Sequence, residues 1–204
     1  ASGGGLFNQI LSATPTAATT GLSTWQNQGS ATTSDSTTGM TITQVATNAL
    51  ASRTKASPGT PYTITALLAM TAVGGDGTNN PNIGLGWTDG TKLQILRLVS
   101  AAGTAGLAFA VASMTNSTTF SANVYVNSKF QFLPYFWARI ADDGTNVSFA
   151  FSQDGANFLT LYSVAKASGF LGSSGYSNVC FSVMGAAGFT PAGTIGTIMS
   201  WTQA

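Results

Sequence analysis

Six carboxylates, all of them Asp, make up the acidic complement of this chain, and three lie in one stretch, WARIADDGTNVSFAFSQDGANF, from Trp137 to Phe158. Two carboxylates flanking one bond can hydrolyse a glycoside if one is held protonated. Carboxylates grouped with amide oxygens can hold calcium. The spacing argues for a plainer role. Asp76, Asp89, Asp143 and Asp154 are each followed by Gly, and Asp-Gly between alternating runs marks a tight hairpin, because Gly takes the positive φ such turns require. Turns are expected at Thr88–Thr91 in GLGWTDGTKLQIL and at Asp142–Thr145 in WARIADDGTNVSFAFS. Asp89, Asp143 and Asp154 are read as turn residues bonding the backbone two positions on, with Asp142 as a mere flank.

Other chemistries lack their parts. The chain has no His and no Glu, so a Ser or Cys nucleophile has no imidazole to activate it, and zinc has neither the His nor the Cys set it needs. Cys180 stands alone inside the alternating run NVCFSVM, where an inert buried thiol is expected. One loop, GGDGTNNPN from Gly74 to Asn82, brings Asp76, Asn79 and Asn80 close together. It has oxygens that calcium could use, although a polar turn explains it as well and nothing else supports a metal. Trp87 precedes a hairpin turn and reads first as edge-of-core packing. Were its indole exposed beside Asp76, Asn79 and Asn80, the four would form a carbohydrate site, with a ring face for stacking and acceptors for hydroxyls.

The composition limits the partners. Only 6% of residues are charged and the net charge is +1, against roughly 25% charged residues in ordinary soluble domains. The seven basic residues are scattered from Arg53 to Lys166 without a stripe, so binding to nucleic acid through phosphates is not expected. No apolar run approaches the ~18 residues of a membrane helix. The 12 Phe, 5 Tyr and 4 Trp are enough for a packed core, which disordered chains lack.

The elements that must hold these residues are strands. MTITQVA, PYTITALLAM, NIGLGW, KLQILRLVS, GLAFAVAS, FSANVYV, FWARIA, NVSFAFS, FLTLYSV, VCFSVMG and TIMSW are short runs rich in β-branched and aromatic residues and bounded by Gly, Asn, Asp, Pro or Ser. Phe149 and Phe151 share one face and are assigned to the core; Trp137 shares its face with Arg139 and Ala141. A helical turn is expected only near SVAKASGFL. The pattern predicts an all-β fold, an antiparallel jelly-roll β-sandwich, over 24–204. Residues 1–23 are read as an extended N-terminal arm in which Leu6, Phe7, Ile10 and Leu11 form an apolar quartet suited to anchoring or assembly.

The runs YTITALLAM, IGLGWTDGTKLQILRL and FWARIADDGTNVSFAFSQDGANFLTL together resemble the concanavalin A-like, laminin-G-like sandwich, in which a strand with Trp and Arg (WARI here) leads through a turn to a strand ending in S-x-D-G (SQDG here). Such domains occur in lectins, in polysaccharide-active enzymes and as bacteriophage appendage modules, and the charge-poor, Thr/Ser/Gly/Ala-rich style is similar to the phage versions. The Glu pairs of the superfamily's hydrolases and the Glu and His of legume-lectin metal sites have no counterpart here. The resemblance therefore implies no enzyme, no cofactor and no resident metal. It implies a non-catalytic virion structural protein (a capsid decoration, head fibre or tail appendage subunit) on the particle surface, partnered by other virion subunits and copies of itself. The alternative is a carbohydrate-binding module that recognises cell-surface or extracellular glycans.

Overall fold

The computed structural model describes residues 17–36, 39–45, 49–73, 81–100, 107–130, 135–185 and 193–204. Among them fourteen strands pair antiparallel into two sheets of seven. Sheet A runs from edge to edge as β1 (Thr24–Gln26), β4 (Leu50–Ala56), β13 (Asn178–Met184), β6 (Asn82–Thr88), β7 (Leu93–Ser100), β8 (Leu107–Asn116) and β9 (Thr119–Phe130). Sheet B runs as β12 (Leu159–Ala165), β11 (Asn146–Ser152), β10 (Tyr135–Asp142), β5 (Tyr62–Val73), β14 (Gly193–Gln203), β3 (Gly39–Gln44) and β2 (Thr32–Ser36). A single helical turn, α1 (Ala17–Thr20), precedes β1, and a 3₁₀ turn at Lys166–Ser168 follows β12, within the segment expected to turn.

All eleven runs picked out by pattern are strands. The three that pattern missed are β1, β2 and β4. β1 is three residues long, β2 reads TTSDS and is exposed throughout, and β4 reads LASRTKA. None shows the alternation of apolar and polar residues that betrays a half-buried strand.

The two sheets bury their facing side chains against each other. Ile83, Leu85 and Trp87 of β6, Leu96 and Leu98 of β7, and Val179, Phe181 and Val183 of β13 meet Ile64, Ala66 and Leu68 of β5, Phe136, Ala138 and Ile140 of β10, and Val147, Phe149 and Phe151 of β11. Rings interlock edge to face, with Trp87 against Phe149 at 4.9 Å and Phe109 against Phe136 at 4.8 Å. Each such ring contributes roughly 1.5–3 kcal/mol through its removal from water. Leu22, in the segment read as arm, is fully buried in this core, and its carbonyl accepts from Arg53 Nε at 3.0 Å.

Sheet A also buries apolar side chains on its other face. Leu50, Leu93, Ile95, Ala112, Met114 and Cys180 form a second cluster there. β7 is accordingly apolar on both faces, which matches the nearly continuous apolar run in KLQILRLVS.

Candidate functional site

The carboxylates of the Trp137–Phe158 stretch are engaged in turns. Asp143 Oδ1 accepts from the N–H groups of Thr145 and Asn146 at 2.8 and 2.6 Å, and Asp154 Oδ1 from those of Ala156 and Asn157 at 2.9 and 2.8 Å. Asp89 Oδ1 does the same for Thr91 and Lys92 at 2.8 and 2.7 Å. The glycine after each has φ of 94°, 95° or 74°, values that favour Gly. Backbone N–H donors hold the carboxyls of Asp143 and Asp154 below the usual carboxylate range. Such a group is a poor general acid at neutral pH.

Asp142 is more than the flank the spacing suggested. It points into the sandwich between Tyr62 and Val147, is 2% exposed, and pairs with Lys166 at 2.7 Å. Its Oδ1 also accepts from the Gly144 N–H at 2.9 Å. The alternation of β10 alone could have placed it inward, since Phe136, Ala138 and Ile140 precede it on the same face.

Trp87 is a correction to the carbohydrate site expected from sequence. It is fully buried, packs against Phe149 and Tyr176, and donates its indole N–H to Tyr62 Oη at 2.6 Å. Residue 87 falls on the inward register of β6, so the ring has no face left for a sugar. Asp76, Asn79 and Asn80, proposed with it, lie outside the described residues, as do Leu6, Phe7, Ile10 and Leu11 of the expected anchor. Cys180 is buried as expected, and desolvation pushes its thiol up to about 12.

A different set of residues converges on the outer face of sheet A. On β7, Gln94, Leu96 and Leu98 face the core, so Leu93, Ile95, Arg97 and Val99 face outward. Arg97 stands between Gly84 of β6 and Ala110 of β8, small neighbours that leave room for its long side chain. Register shifts in the β8–β9 ladder set Phe120, Asn123 and Val126, three apart rather than two, opposite Met114, Ala112 and Ala110. That spacing brings an aromatic ring, an amide and a cation onto one face. Arg97 Nη2 donates to Asn123 Oδ1 at 3.1 Å, and the guanidinium carbon lies 5.4 Å from the centroid of the Phe120 ring. Phe120 is 49% exposed. Arg97 Nε is buried with no acceptor, and desolvation lowers the guanidinium to about 10, so it stays cationic at neutral pH.

Next to Phe120, the turn joining β8 to β9 meets the β6–β7 turn and the end of β1. They enclose an open cleft of about 390 Å³ lined by Gln26, Asn27, Gly90, Thr91, Asn116, Ser117 and Thr118. Its described lining is uncharged and consists of amides, hydroxyls and backbone. Asn116 Oδ1 accepts from the Thr118 N–H and hydroxyl, each at 2.9 Å. Asn27, at φ 53°, donates to Leu50 O at 2.9 Å. Gln26 Nε2 reaches Thr91 O at 3.5 Å, while its Oε1 is buried without a donor. Sequence reasoning missed this site because Gln26 and Asn27 sit in a Ser/Thr-rich stretch without period, and because no residue pattern records the bulges of β9.

No protein-family model matches the chain, and no curated protein matches it in sequence. Solved structures match it in fold. A functionally unknown protein from Saccharomyces cerevisiae aligns over 90% of this chain and 96% of its own, at TM-score 0.58 and 10% identity. A mutant of the GH43 protein BlXynB from Bacillus licheniformis gives TM-score 0.53 at 9% identity over 80% of this chain. The GH43B protein of a Bacteroides ovatus xyloglucan locus gives 0.53 at 8% over 81%. The chain spans about a third of the length of those two GH43 chains, 32% and 33%. At such identities the likeness is one of fold. The molecule is an antiparallel β-sandwich.

Proposed function

We propose that this chain is a non-catalytic carbohydrate-binding β-sandwich and that its site is the Gln26–Thr118 cleft. The observation that carries the reading is the cleft's described lining of amides, hydroxyls and backbone, with no charged group among them. Amides and hydroxyls are the donors and acceptors that sugar hydroxyls pair with. Asn116, Ser117 and Thr118 add further hydrogen-bonding groups, and the half-exposed Phe120 ring beyond them offers an apolar surface for a pyranose. Asp89, Asp143 and Asp154 are engaged in turns and Asp142 in a buried ion pair, which favours binding over hydrolysis. On a glycan array, wild-type protein should bind a defined glycan set, and Gln26→Leu with Thr118→Val should lose it by roughly ten-fold or more, at about 1–1.5 kcal/mol per lost hydrogen bond. Binding unchanged in that double variant would remove the cleft from the account.

The outer face of sheet B favours a second reading, compatible with the first, in which the sandwich is a subunit of a virion appendage. Thr32, Thr43, Ile195 and Thr71 form one row across β2, β3, β14 and β5, and Ser34, Thr41, Thr197 and Ala69 the next. Both rows are uncharged, and Ile195 is 39% exposed. With a net charge of +1 there is little repulsion to keep copies apart. Sedimentation should show a self-associated species that Thr197→Arg with Ile195→Asp converts to monomer; a monomeric wild type would count against this reading.

A further inference from the structure

Building on the carbohydrate reading, we propose that the sugar is anionic and that Arg97 receives its charged group. Four observations carry this. Arg97 lies on the outer face of sheet A, away from the inter-sheet core, in a row of small or uncharged residues running Ser52, Ser182, Gly84, Arg97, Ala110 and Val126 across five ladders. Its bonded neighbours among the described residues are one amide oxygen, from Asn123, and the face of Phe120; no described carboxylate pairs with it. Its Nε is buried without an acceptor. Its ring partner, Phe120, follows two residues after Thr118, one of the residues that line the cleft.

A cation withdrawn from water without a counter-charge is unfavourable, and burial depresses this group. An incoming carboxylate or sulfate supplies the missing charge. A guanidinium edge also matches the two oxygens of a carboxylate in a fork that an ammonium cannot reproduce. Phe120, cation-bound on one face, is 49% exposed and can take the apolar face of the same sugar ring. Gln26 and Thr118 hold the neighbouring residue by its hydroxyls. The site therefore reads a polymer of acidic sugars, by charge at one subsite and by hydroxyls at the next.

The test compares one backbone with and without its charge. Wild type, Arg97→Gln and Arg97→Lys would be titrated by calorimetry with oligogalacturonate, its methyl ester and dextran sulfate, with melting temperatures as folding controls. The expected result is that wild type binds the free acid roughly ten- to hundred-fold tighter than the ester, that Arg97→Gln abolishes this preference at an unchanged melting temperature, and that Arg97→Lys restores only part of it. Dextran sulfate shows which anion is preferred: Arg97-dependent binding of either polymer supports anion recognition. Equal affinity for acid and ester, unaffected by Arg97→Gln, would overturn the anionic assignment and leave the carbohydrate reading standing. Absence of binding to these polymers and to the wider neutral glycan set would overturn both.

Discussion

At the residue scale, Trp87 and the turn aspartates show how one residue type can serve either ligand or fold, with register deciding. Trp87, on the inward side of β6, fills the core and satisfies its N–H with Tyr62. Trp87→Ala should cost about 3–5 kcal/mol in chemical denaturation and leave no selective binding defect; a well-folded variant that had lost only ligand affinity would contradict the assignment. Asp143 and Asp154 are held below the ordinary carboxylate value of 3.8 by N–H donors. A depressed folded-state pKa gives stability that is present above the unfolded value and lost as pH falls through 3.8 towards the folded one. Melting temperature should hence be flat at neutral pH and fall below about pH 4, and the acid limb should be shallower in Asp143→Ala with Asp154→Ala. An acid limb unchanged in that variant would show that other groups set it.

At the element scale, strand identity was legible wherever one face alternated and illegible where it did not. The eleven runs with β-branched or aromatic alternation are all strands, and the Asp-Gly hairpins fall at Asp89, Asp143 and Asp154 as the spacing requires. β2 is exposed along its whole length and so carries no burial pattern to read. The site lies where pattern is weakest, in the bulges that put Phe120, Asn123 and Val126 on one face and in the Gln26–Asn27 corner. Turns also lock the sheets' outer faces. Gly155 sits at φ 74° with its Cα directed at Trp137, so a Cβ added there would lie 2.7 Å from the ring. Gly155→Ala combines backbone strain with a clash and should lower stability by about 1–3 kcal/mol, measured by thermal melting. A neutral result would mean that the β11–β12 turn and Trp137 shift apart at little cost.

At the scale of the whole molecule, the charge-poor composition and the two seven-stranded sheets fit together: a large sandwich whose surface is covered by hydroxyls and amides, with few ions. The fold class was readable from the sequence because sandwich grammar is local. The position of the site was not, because it is assembled from β1, the β6–β7 turn, the β8–β9 turn and β7, segments far apart in the chain and joined only by register. The central claim, that a sugar binds in the Gln26–Thr118 cleft and runs past Phe120 to Arg97, can be tested by heteronuclear NMR of labelled protein titrated with the strongest-binding glycan from an array. Shift changes are expected to concentrate at Gln26, Thr91, Asn116–Phe120, Asn123 and Arg97. Changes confined to the Thr-rich face of sheet B around Thr41, Thr197 and Ile195, or no saturable change with any glycan, would contradict it.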